Sequence, residues 1–334
     1  MTFEKKEIQS IVSWLLEKEE PGVRYLALRD ICLDHEGVLK ERKRAHADGP
    51  IAAILGKMKP EGYWSKPGPG YNPKYFSTVW SVIQLAELGG SVREDERIGA
   101  ASAYLLDRAL TPGGQFTISG APSGTVDCLQ GNLCWALTAL GCEDHRLRGA
   151  FDWMARTVTG DGLASANEKK APNRYYAYQC GPGFACGANN KLPCAWGAAK
   201  VMRAFSMLPA KDRTPAVRKA VERGIQFLFS VDPATAAYPC GSSAKPNRSW
   251  WKLGFPVFYI TDILQIVEVL AALGYGKDRR LQNALKWIEE KRTAEGVWLL
   301  ENDYAGKTWV NYGPKHKPNK WVTLRALRAL GVRG

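Results

Sequence analysis

Residues 179–205, QCGPGFACGANNKLPCAWGAAKVMRAF, pass from a glycine-rich loop holding Cys180, Cys186 and Cys194 straight into an apolar helix. The same passage occurs upstream at Asp127-Cys128-Leu129-Gln130-Gly131-Asn132, and another cysteine loop, Tyr238-Pro239-Cys240-Gly241, follows downstream. Both helix starts carry a C-x-x-G pattern, Cys128 to Gly131 and Cys194 to Gly197. Thiols at equivalent points of successive repeats converge on one place if the repeats close into a ring.

Working outward, helical periodicity dominates and strand-like alternation is scarce. Apolar helices are expected over 75–88, 127–140, 193–208, 257–273 and 319–330. Four of them stop at glycine, the usual C-cap: Gly89, Gly141, Gly274 and Gly331. Polar, one-sided helices follow at 93–110, 144–157, 214–230 and 278–292, with long Gly- and Pro-rich loops between units. Toward the N-terminus, 8–16, 23–32 and 36–58 also read as helices. The period is roughly sixty residues, which signals a repeat architecture. Helices apolar all round belong inside, and one-sided ones outside. The loops echo one another as Glu61-Gly62-Tyr63-Trp64, Gly114-Gln115-Phe116 and Glu295-Gly296-Val297-Trp298. In each, glycine allows a tight turn and the aromatic plugs a gap between repeats. About six helices of each kind, without a polar capping repeat, predict an all-α (α/α)6 toroid. With no linker or composition break, residues 1–334 form one domain.

The chain has 334 residues, 45% of them apolar, twelve tryptophans and a formal charge of +13. That charge favours an acidic partner and leaves peripheral contact with an anionic membrane open. Nucleic acid is disfavoured, because Arg42-Lys43-Arg44 lies on an outer helix without interleaved aromatics. No apolar run reaches the eighteen or so residues of a membrane span, and the N-terminus reads as an amphipathic helix, not a signal peptide. A soluble, cytoplasmic protein is expected, in which eight cysteines point to reduced thiols or metal before disulfides.

At this level the chain resembles the terpenoid cyclase and protein prenyltransferase superfamily, whose fold is an α/α toroid. The loop-aromatic motifs are similar to weakened Q-W repeats of squalene–hopene cyclases. The nearest resemblance is to uncharacterised prokaryotic squalene-cyclase-like proteins. It rests on Cys128-Leu129-Gln130-Gly131-Asn132, on Cys186 and Cys194, on Leu253-Gly254-Phe255-Pro256 with Tyr259 and Asp262, and on the run from Trp321 to Leu327. The D-x-D-D acid of squalene–hopene cyclases is missing, as is the D-D-x-x-D magnesium motif of class I synthases. The resemblance implies a hydrophobic, prenyl-type substrate without the usual protonating acid.

Three groups of residues carry candidate chemistry. Cys128, Cys186, Cys194 and Cys240, with Cys180 as an alternative fourth, are candidate zinc ligands, since thiolate suits that soft ion. Iron stays open as the metal, and buried free thiols or a disulfide are the other readings. The resembling prenyltransferases hold zinc through Asp, Cys and His; Asp127-Cys128 matches in part and no histidine does. Trp80, Trp135, Trp196, Trp321 and Tyr259 are the expected wall of a central cavity for a hydrophobic or anionic small molecule. Lys245, Arg248 and Lys320 would make its rim attractive to anions. Asp262 is the favoured general acid or base, with Asp127 and Tyr259 beside it. An enzyme with zinc at the mouth of an aromatic cavity is thus one expectation. A non-catalytic toroid with structural zinc, binding a lipid, a peptide tail or a protein partner, is the other.

Overall fold

The computed structural model describes residues 4–164, 168, 170, 177–241, 243 and 245–333. In chain order the helices are α1 (Lys5–Leu15), α2 (Pro21–Ala27), α3 (His35–Ala47), α4 (Pro50–Leu55), α5 (Thr78–Glu87), α6 (Glu96–Arg108) and α7 (Asp127–Ala139). They continue as α8 (Arg146–Thr159), α9 (Ala195–Ser206), α10 (Pro215–Leu228), α11 (Ile263–Leu270), α12 (Gln282–Glu290) and α13 (Lys320–Ala329). Among the described residues β-structure is confined to isolated bridges. The chain is all-α.

The helices alternate between two layers. Every residue of α5 is buried, as are nearly all of α11. By contrast α10 buries only Val217, Ala220, Val221, Gly224, Ile225 and Leu228, a stripe at three- and four-residue spacing. Packing runs α5 to α7 to α9 to α11 to α13 and on to α2, which makes the inner layer. Gly89, just past α5, then lies against Tyr25 and Leu26 of α2. The outer helices α6, α8, α10 and α12 each pack on an inner neighbour.

The recurring loop motif explains how each turn is locked. Trp64 and Trp298 are fully buried, and their indole N–H groups donate to Ile54 O (2.8 Å) and Ile288 O (2.7 Å) at the end of the preceding outer helix. Their backbone N–H groups donate to Thr78 Oγ1 and Thr323 Oγ1 on the next inner helix. Phe116 uses Gln130 Oε1 the same way, at 2.7 Å. The glycines of these turns, Gly62, Gly114 and Gly296, all have positive φ (89°, 90° and 83°), where only glycine is unstrained. Gly62 meets α6 and Gly114 meets α8, whereas Gly296 meets Glu7 and Ile11 of α1. The turn after α12 therefore docks on the first helix, where Arg292 also pairs with Glu7 at 2.7 Å. Gly22 of α2 likewise faces the Trp321 ring of α13. The layers close on themselves.

Boundaries differ where proline and caps intervene. The helix expected over 36–58 is split by Gly49 (φ 82°) and Pro50, which starts α4 at its first position. The helix expected from 257 begins only at Ile263, because Asp262 caps it by accepting from Gln265 N at 2.8 Å. A cavity of about 700 Å³ is lined by Glu87, Trp135, Arg203, Glu268 and Arg328, late residues of α5, α7, α9, α11 and α13. The inner helices thus run in parallel. Their N-termini gather at the opposite mouth.

Candidate active site at the N-terminal mouth of the inner ring

The C-x-x-G pattern is a backbone contact. A Cβ on Gly131 would overlap the backbone of Lys200 and Val201, and one on Gly197 would lie 3.1 Å from Asp127 Cβ. These glycines let α7 and α9 approach until their first turns touch. Cys194, the residue before α9, then meets the Cys128 thiol, and Cys186 meets Cys194. Cys186 donates to Cys194, and Cys194 donates to Cys128. That hydrogen bond to Cys128 is the main reason the Cys194 thiol is pushed up to about 12, and the bond to Cys194 raises Cys186 in the same way.

Three of the expected metal ligands are therefore joined by successive hydrogen bonds. Cys240 borders a cavity of about 310 Å³ with Cys186 and Cys194, and Cys128 is not in its wall. Cys180 is engaged elsewhere, 2.7 Å from Asp127 Oδ1. A tetrahedral ion needs donors around one point. Among the described residues no group of three or more His, Cys, Asp or Glu side chains has that arrangement. As placed, the thiols do not fit a zinc or iron ion.

The expected acids have distinct surroundings. Asp262 is buried with both oxygens committed. It caps α11, accepts from Gly254 N, and holds Arg325 through two bonds of 2.9 and 3.0 Å. Arg325 in turn bonds Glu268 (2.8 Å) and Gly254 O (2.6 Å). Asp262 ties α11 to α13 and has no oxygen left to face a substrate, so the expected acid–base role is replaced by a structural one. Asp127 is the first residue of α7 and does not cap it. Burial pushes its carboxyl up to about 7, against the hydrogen bond from Cys180, and its Oδ2 has no partner.

Lys200, absent from the sequence-based candidates, occupies the centre. It is 0% exposed on α9, and its Nζ donates to Gln265 Oε1 on α11. Burial lowers its amine to about 7, opposed by the charges of Cys128, Asp262 and Glu87 and assisted by that of Arg203. Buried polar atoms without partners include Gln265 Nε2, on the residue that accepts from Lys200, Asn132 Oδ1, whose amide donates to Phe258 O at 3.3 Å, and Thr261 Oγ1. The Tyr259 hydroxyl lies beside that of Tyr71 but makes no well-directed hydrogen bond. Cys128 is in charge range of both tyrosines and is itself only half-buried. The signal was a single lysine inside the apolar run Ala198-Ala199-Lys200-Val201-Met202, one turn beyond Gly197.

The expected aromatic wall is divided among four places. Trp80 is buried against Tyr75 (4.9 Å), Tyr259 (5.1 Å) and Phe258 (5.2 Å), which pack the mouth beside Cys128. Trp196 lines the 310 Å³ cavity, and Trp135 lies at the far mouth under the Arg203 guanidinium, 3.4 Å away. Trp321 stacks on Phe255 at 4.7 Å, by the contact with α2. Of the expected basic rim, Lys245 and Arg248 are exposed on either side of Pro246 and Asn247 in the wall of the 310 Å³ cavity, and Lys320 pairs with Glu17 (2.7 Å) and lies over the Trp14 ring.

No family model and no curated protein matches the chain. Among solved structures it is similar to a variant of type II terpene cyclase MstE from Scytonema in complex with geranylgeranyl dihydroxybenzoate. That match has 15% identity and a TM-score of 0.43, over 88% of this chain and 77% of that one. A second MstE variant, in complex with merosterolic acid A, gives 13% identity and a TM-score of 0.34 over 88% and 96%. A protein from Actinoplanes gives 13% identity and a TM-score of 0.30 over 87% and 98%.

Proposed function

We propose that the chain is an α/α-toroid enzyme, cyclase- or transferase-like, that takes a hydrophobic small molecule with a polar end into the N-terminal mouth of its inner ring. One observation carries this reading. Gln265 Nε2 and Asn132 Oδ1 are buried without partners, on residues that bond the buried Lys200 and the carbonyl of Phe258 in the aromatic cluster, and Thr261 Oγ1 is buried without a partner three residues beyond Phe258. Each such group costs about 1–3 kcal/mol in an empty interior, and a ligand's polar end would satisfy several at once. The aromatics Trp80, Tyr71, Tyr75 and Tyr259 would hold its apolar body, prenyl-type or otherwise. Eight cysteines suit a reducing, cytoplasmic setting. Thermal shift with geranylgeraniol tests the reading. A rise in Tm that disappears in Asn132→Leu/Gln265→Leu is expected, and no rise with any prenyl alcohol, acid or ester overturns it.

A second reading is favoured by the 310 Å³ cavity, whose walls include Trp196, Tyr238, Trp250 and Pro239. A non-catalytic toroid would bind a lipid chain or an apolar peptide tail there. Trp196→Ala would then abolish binding, whereas Asn132→Leu/Gln265→Leu would leave it intact.

A further inference from the structure

We infer that the mouth at the C-terminal end of the inner ring is a second binding site, separate from the one proposed above, and that it takes an organic phosphomonoester whose dianionic head sits among Arg29, Arg328 and Arg333.

Three guanidinium groups converge there on one acidic residue. Arg29 donates from Nε and Nη2 to the Asp30 carboxylate at 2.6 and 3.0 Å. Arg328 of α13 pairs with the same carboxylate through Nη2, and Arg333 Nη1 donates to the Asp30 carbonyl at 3.0 Å. Three positive charges around one negative leave an excess of two, close to the charge of a phosphomonoester near pH 7. The other two acids in the cavity wall do not supply the balance. Glu87 is held by Arg203 at 2.6 Å, and Glu268 by Arg325 at 2.8 Å.

Asp30 does not use all that these arginines offer. Arg328 Nε is buried with no hydrogen-bond partner among the described residues. Burial lowers the Arg328 guanidinium from its usual value, opposed by Asp30 and assisted by Arg29. A guanidinium is a planar fork of donors that matches phosphate oxygens, so a phosphate would satisfy the idle nitrogen and the excess charge together. All three arginines and Asp30 line the 700 Å³ cavity, which is in the range of small-molecule sites and far larger than inorganic phosphate needs. Ala86, Ala139, Met207 and Val269 supply apolar wall for the organic part of the ester, and Leu33 at the rim is 55% exposed. A soluble ester and a lipid headgroup share this chemistry.

Calorimetric titration of the full chain with octyl phosphate at pH 7.5 and low salt is the test. Saturable binding of one ligand per chain is expected, weakened about tenfold or more in Arg328→Met and in Arg333→Ala, the latter at an exposed position. Asp30→Asn removes the competing carboxylate and should tighten binding, a gain that misfolding cannot mimic. Octyl sulfate, a monoanion of the same shape, should bind less well. Flotation with phosphatidylcholine vesicles carrying phosphatidic acid separates the two sources. Retention on them assigns a lipid headgroup, and octyl phosphate binding without retention assigns a soluble ester. No binding of octyl phosphate, equal affinity for octyl sulfate, an affinity unchanged in both arginine variants, or no gain in Asp30→Asn overturns the inference. So does loss of binding in Asn132→Leu/Gln265→Leu, which would put the phosphate at the N-terminal mouth.

Discussion

Lys200 on α9 donates a hydrogen bond to Gln265 on α11, sixty-five residues away, in a part of the ring that excludes water. A single neutral amide is a weak counterpart for an ammonium taken wholly out of solvent.

Stability should therefore follow pH in a distinctive way. The Lys200 amine is lowered from 10.5 to about 7 in the fold. Between those values the unfolded chain binds the proton that the folded one lacks, so stability rises as pH climbs from about 7 to 10.5. Asp127 is raised from 3.8 to about 7, so here the folded chain holds the extra proton and stability falls as pH climbs from 3.8 to 7. Together they place a minimum near pH 7. Urea denaturation across pH should show it, with Lys200→Met removing the alkaline limb and Asp127→Asn the acid one. A curve that both substitutions leave unaltered would refute the assignment.

The Asp262–Arg325 pair should be costly to break. Asp262→Asn leaves Arg325 buried with only Glu268 as a charged partner, and loss of one member of a buried pair costs about 3–5 kcal/mol. Arg325→Met should cost a similar amount. Denaturation midpoints measure this directly, and a loss below 1 kcal/mol would mean the strut is ornamental.

Glycine substitutions separate close approach from mere flexibility. Gly131→Ala should be severely destabilising, because its Cβ would strike main chain on α9. Gly99→Ala, in open space on α6, should stabilise by about 0.5–1 kcal/mol through helix propensity alone. Equal effects at the two positions would contradict the α7–α9 contact.

Metal content bears on the linked thiols. Elemental analysis of chain purified without an affinity tag should find no stoichiometric zinc or iron. About one zinc per chain, lost in Cys194→Ser, would show that Cys240 swings in to complete a site.

Much of the fold was legible because one pattern recurs. The apolar helices ending at Gly89, Gly141 and Gly331 and the Gly-aromatic turns at Trp64, Phe116 and Trp298 gave the layers and their order. Boundaries were lost at Pro50 and Asp262, where a local breaker or cap overrides periodicity. The site was legible only in part. The C-x-x-G pattern marks the close approach of α7 and α9 at Gly131 and Gly197, but spacing alone does not say whether thiols surround one point. Lys200 escaped notice because a lone lysine in an apolar helix ordinarily extends its amine to water. Only closure of the ring, which brings Gln265 opposite, prevents that. Asp262 looked reactive because its partner Arg325 is sixty-three residues further on.

The docking of the Gly296 turn on α1 sets the order of events during synthesis. Residues at opposite ends of the chain are neighbours, and nothing earlier in the sequence can cover the flank of α1 that Gly296 fills. While the chain emerges it can build only an arc with two raw edges, each presenting apolar surface. Closing that arc is a contact of nearly maximal sequence separation, the slowest kind to form. The arc is the species a chaperone would meet, and its exposure ends when the Gly296 turn packs on α1 and α13 packs on α2.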